Sequence, residues 1–133
     1  MKADIEELIG EHLSLCIIKT DQVDENGSKV WNAILYNHSD ETLQNILVNT
    51  KGYGTLNGRE VSTATMRYFK EELVKNDSFQ VEPIIEEVLD ITNEFWISYS
   101  FDGKVFEKKF IFSANEHELV TLEQFDAEGY LMK

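Results

Sequence analysis

The chain of 133 residues holds one cysteine, one proline and three histidines, and no long apolar run. A single thiol, Cys16, excludes an intramolecular disulfide. It lies in the apolar stretch 13–18, where a buried, inert thiol is expected, and a solitary thiol fits a reducing compartment. His12, His38 and His117 are widely separated and lack metal-ligand spacing, so no metal or other cofactor is expected. No apolar segment approaches the roughly 20 residues of a membrane helix. Acidic residues stand near the start, where a secretory signal needs an apolar segment; a cytoplasmic protein without membrane association is the expectation. Basic side chains are scarce, 12 against 25 acidic, for a net charge of −13. Such a field repels phosphate backbones and disfavours nucleic-acid partners.

Catalytic signatures are missing as well. Glu116-His117-Glu118 is not the His-Glu-x-x-His helix of zinc proteases. The acids of 21–27 miss the positions that a calcium loop requires. Lys51-Gly52-Tyr53-Gly54 has glycines and a lysine but not the spacing of a P-loop, and reads as the approach to a hairpin. Glu71-Glu72 and Glu86-Glu87 read as solvated faces. No Ser-His-Asp or Cys-His arrangement is supported.

What is present is a β pattern. Phe95, Ile97, Tyr99 and Phe101 alternate with Trp96, Ser98 and Ser100 up to Asp102-Gly103, and Phe106, Phe110 and Phe112 return in step. Alternating aromatics on either side of Asp-Gly are a hairpin signature, because a type I′ turn needs positive φ at both central residues. Asn26-Gly27 and Asn57-Gly58 mark further tips, and in the first of these hairpins a two-residue register places Asp24 opposite Lys29. Trp31, Ala33 and Leu35 share one face and Val30, Ile34 and Tyr36 the other, as expected of an interior or covered strand. Residues 61–69 read as one half-buried strand, and a turn is expected near Glu128-Gly129.

Two helical features are predicted. Ile5, Leu8, Ile9, His12 and Leu13 fall at helix spacing, giving a short helix over 1–13. Pro83 suits a first helical position, and Ile84, Ile85, Val88 and Leu89 suggest a helical turn over 83–90. Together the chain reads as one all-β domain, 1–133, an immunoglobulin-like two-sheet sandwich of seven or eight strands. In the Asp102-Gly103 hairpin, Lys108 falls opposite Ile97 on the aromatic side, so it must snorkel or a bulge must intervene. On the other side Trp96 falls opposite Lys109, a pairing suited to a cation–π contact.

Several segments carry a family likeness: Trp31-Asn32-Ala33, Val48 to Tyr53, Thr63 to Arg67, Val81 to Ile84, Asn93 to Lys104, Phe106 to Phe110 and Gly129-Tyr130-Leu131. In order and spacing they resemble a family of small bacterial proteins usually labelled phenylalanyl-tRNA synthetase subunit alpha. The resemblance implies a link to aminoacylation, as a phenylalanine–tRNA ligase. True alpha subunits carry a large class II catalytic domain with arginine-bearing motifs for ATP and the acceptor end, and this chain has no counterpart to them. No catalytic residue carries over.

The residues therefore favour a non-enzymatic interaction module that meets a protein partner, or a second copy of itself, through a sheet face or edge. Trp96 and Lys109 are the first candidate contacts, Tyr53 and Arg67 the next. The alternative is a small-ligand or aminoacylation-associated role around Lys51, Tyr53 and Arg67, with Arg67 suited to bidentate pairing with a carboxylate or phosphate.

Overall fold

The computed structural model describes residues 8–133. Their strands, in chain order, are β1 (Leu8–Ile9), β2 (Leu13–Val23), β3 (Lys29–Asn37), β4 (Leu43–Leu56), β5 (Arg59–Ser62), β6 (Met66–Leu73) and β7 (Ser78–Ile85). There follow β8 (Thr92–Phe101), β9 (Lys104–Phe112), β10 (Val120–Leu122) and β11 (Ala127–Met132). The first sheet runs β1-β9-β8-β4-β5, with β6 also paired to β4; the second runs β10-β11-β2-β3-β7. The protein is all-β and sandwich-like, with eleven strands rather than seven or eight. Neighbours are antiparallel except for β1, which lies parallel to β9.

Turn chemistry sets the register. Asn57-Gly58 and Asp102-Gly103 take positive φ at both positions, as type I′ tips require, and close Leu56 on Arg59 and Phe101 on Lys104. Period-two alternation then sends one side chain in two inward. Leu15 and Ile17 of β2, Trp31, Ala33 and Leu35 of β3, and Val81 and Ile84 of β7 meet Ile46 and Val48 of β4, Phe95, Ile97 and Tyr99 of β8, and Phe110 and Phe112 of β9 in one core. Burial of this cluster from both sheets is the main term holding the layers together. Where the chain crosses from the second sheet to the first, Asn37 is fully buried and bridges the corner. Its Nδ2 donates to the Glu41 and Leu73 carbonyls at 2.7 and 3.0 Å, which satisfies a polar group that burial would otherwise penalise.

Several expectations are corrected. Residues 1–7 of the helix expected over 1–13 lie outside the described residues; from Leu8 onward the chain is extended, because backbone pairing with β9 outweighs an apolar spacing that fits either period. Pro83 does not begin a helix. It sits inside β7, at the margin of the second sheet, opposite Asn32, where a missing N–H costs no ladder bond. The helical segment is a single 3-10 turn, Glu86–Asp90. The strand expected over 61–69 breaks at residues 63–65, where the Gly52 N–H donates to Thr63 Oγ1 at 2.7 Å, and β5 and β6 pair separately with β4. Asp24 pairs through its N–H with the Ser28 carbonyl, and it is Val23 that faces Lys29. Gly129 makes no turn: it lies within β11, where a Cβ would collide with the Ile17 carbonyl. Lys108 does fall opposite Ile97 with no bulge, and it snorkels, its ammonium 5.3 Å from the Phe110 ring centroid. Among the described residues no helix is long and apolar enough to cross a membrane.

Candidate functional site

The first sheet carries its second face outward, and pairing lays the residues there in rows. Arg67, Asn49, Trp96 and Lys109 stand in one line across β6, β4, β8 and β9. Phe69, Leu47, Ser98 and Glu107 make the row on one side, and Lys51, Glu94 and Ile111 the row on the other. Trp96 is 51% exposed, Phe69 59% and Ile111 52%, with Leu47 and Tyr53 also open to solvent. Apolar area of this extent on one face is uncommon for a surface that remains solvated.

Glu94 is the hub. Trp96 Nε1 donates to its Oε1 at 2.9 Å, and the Tyr53 hydroxyl donates to its Oε2. The Lys109 ammonium lies 3.7 Å from Oε1 and 4.0 Å from the Trp96 ring centroid, pairing with carboxylate and indole at once. Lys51 stands 5.5 Å from the Tyr53 ring centroid. The hydrogen bonds from Tyr53 and Trp96 hold the Glu94 carboxyl below its ordinary range against the opposing effect of desolvation, with Lys109 and Lys51 adding to the depression. The Tyr53 hydroxyl is pushed up, first because it donates to that carboxylate. Trp96 is thus a broad apolar ring held in one orientation while half exposed, the arrangement of a preorganised anchor.

Of the residues singled out in the sequence, Trp96 and Lys109 meet as expected, and Lys51 and Tyr53 join them through Glu94. Arg67 shares the face but stands beyond Asn49 from Trp96. A hollow of about 560 Å³ beside the indole is lined by Asn49, Trp96, Ser98, Glu107 and Lys109 among others. Tyr53 borders a separate hollow of about 460 Å³ against β5, and neither hollow is lined by Lys51 or Arg67. Sequence reasoning missed Glu94, although its signal was available: it precedes Trp96 by two and so shares its side of the strand. Phe69, Leu47 and Ile111 were missed because their alternation marks a face without telling which side is covered.

The second sheet treats its outer face differently. Cys16, Ile18 and Leu122 form a small second core there, with Ile34, Tyr36, Phe125, Ala127 and Leu131 packed against it. Phe125 meets Tyr36 edge-on, ring centroids 6.2 Å apart. Beneath this cover Cys16 is wholly buried, and burial pushes its thiol up to about 11, as an inert thiol requires. Comparison with protein families, curated proteins and solved structures found no match.

Proposed function

We propose that the protein is an immunoglobulin-like β-sandwich that acts by binding rather than catalysis, and that the outer face of its first sheet pairs with a second copy of this chain. The observation that carries this reading is Trp96, half exposed yet fixed by Glu94 and Lys109 at the middle of an open apolar face. Charge selects the occupant. The outward charges of β4, β6, β8 and β9 are Lys51, Arg67 and Lys109 against Glu71, Glu94 and Glu107, three of each sign. A neutral face on a chain of net charge −13 is where two copies approach without repulsion, and apolar burial then favours contact. A reducing cytoplasmic setting accords with the lone thiol.

Sedimentation equilibrium over a range of concentration and salt tests the reading. Self-association is expected to strengthen as salt screens the long-range repulsion, the opposite of what a basic site for an acidic partner would show. Trp96→Ser is expected to weaken it roughly 30-fold, about 2 kcal/mol, as for a central anchor. A chain that stays monomeric throughout, or association indifferent to Trp96→Ser, overturns the proposal.

A second reading follows from the synthetase-like resemblance: a ligand or acceptor end met by Lys51, Tyr53 and Arg67. Their common face favours it. Aminoacylation of tRNA with phenylalanine, assayed alone and with a beta subunit, is the test, and silence in both retires it.

A further inference from the structure

A second hollow, independent of the Trp96 face, lies where the 3-10 turn Glu86–Asp90 crosses between the sheets. It encloses about 400 Å³ and is walled by Trp31 and Tyr130 together with Glu86, Glu87, Asp90 and Leu89. Two unmet needs coincide here. Trp31 is 4% exposed, and its Nε1 has no hydrogen-bond partner among the described residues, so a buried donor lacks an acceptor. The Glu86, Glu87 and Asp90 carboxylates have no ion-pair partner among the described residues, while Ser28 Oγ donates to Glu87 Oε2 at 2.8 Å and orients it. The Trp31 and Tyr130 rings stack at 5.7 Å, offering aromatic surface beside the acids. Burial, then Asp90 and Glu86, pushes the Tyr130 hydroxyl up, so the negative field reaches that ring. Among the described residues no three His, Cys, Asp or Glu side chains converge as a metal ion requires. The carboxylates are instead spread along the turn, which suits a cation extended over several atoms.

We propose that this hollow binds a small organic cation, an amine or guanidinium that also carries a neutral oxygen acceptor. The cationic end lies against the acids and the aromatic rings, where carboxylates and ring faces attract it together. The neutral oxygen accepts the Trp31 indole N–H. An acceptor bearing a full negative charge is excluded by the three carboxylates.

Argininamide is the probe, because it joins a guanidinium and an ammonium to an amide carbonyl. Titrated into the whole chain and followed by ¹H–¹⁵N spectroscopy, it is expected to move the Trp31 indole N–H resonance downfield in a saturable way; Trp96→Phe identifies which indole signal is which. Butylamine, a cation without an acceptor, is expected to leave that proton in place. The double variant Glu86→Gln/Asp90→Asn is expected to bind argininamide at least roughly tenfold more weakly, as loss of two close charges implies. Glu71→Gln/Glu72→Gln, acids on another strand, is expected to bind as the parent does. An indole signal that never moves, one that moves equally with butylamine, or equal weakening in both double variants overturns the site; the last shows only general attraction to an acidic surface.

Discussion

The two sheets present opposite solutions to the same problem, and the contrast locates the function. Each has an outer face with large apolar side chains. On the second sheet the chain returns through β10 and β11 and lays Leu122 and Phe125 over Cys16, Ile18 and Tyr36. On the first sheet nothing among the described residues returns over Trp96, Phe69 and Ile111, and these stay half open. The same alternation that buries a thiol on one side leaves an anchored indole on the other. A chain able to cover one face with its own segment and leaving the other exposed is organised for intermolecular contact there.

The sharpest way to break this comparison is to remove a covering residue and an open one and compare the losses. Leu122→Ala is expected to lower stability by about 2–3 kcal/mol in urea unfolding, since it empties a packed site. Self-association should be unchanged. If Leu122→Ala costs no more than a substitution on the open face, the distinction between the faces fails. Next in size, Phe125→Ala is expected to speed alkylation of Cys16 in the folded protein roughly tenfold by loosening local cover. Alkylation kinetics that match the parent would show that the thiol is protected by something other than this segment.

Acid titration sharpens the other side. The Glu94 carboxyl is held below its ordinary 4.5 in the folded chain, so the unfolded chain takes up this proton first as pH falls. Its contribution is complete above about pH 4.5 and is lost as pH drops through the folded value. Glu94→Gln is therefore expected to flatten the acid limb of a stability profile measured between about pH 6 and pH 3. An unchanged limb would mean that Tyr53 and Trp96 do not hold the carboxylate in solution. The smallest effect belongs to Phe69→Ser, expected to alter stability by less than about 0.5 kcal/mol, because little burial is lost. Its consequence should be read in association instead.

The strand-level architecture was largely legible. Asp102-Gly103 and Asn57-Gly58 demanded positive φ, and that alone paired Trp96 with Lys109 before any contact was known. The all-β, two-sheet arrangement followed from alternation. What stayed hidden depended on partners distant in the chain. Whether Ile9 and Leu13 belong to a helix or to strands is decided by the free edge of β9, which local spacing does not reveal. The break between β5 and β6 rests on one Thr63 hydroxyl accepting from Gly52. Gly129 looked like a turn because its real constraint is the approach of the Ile17 backbone from another strand. At the candidate face, Trp96 and Lys109 were found from register, but Glu94 gained its role only when β4 brought Tyr53 to it, 41 residues away in sequence.

The margins of the first sheet have a consequence of their own. On one side β9 is capped by only the two residues of β1, and on the other β4 spends its length on two successive partners, the four-residue β5 and the eight-residue β6. An incoming chain that tried to extend this sheet sideways would find short, interrupted ladders rather than one continuous rail. Growth into fibres by strand addition is thereby blunted, and copies of the molecule are steered toward stacking broadside, in closed pairs rather than open-ended ribbons.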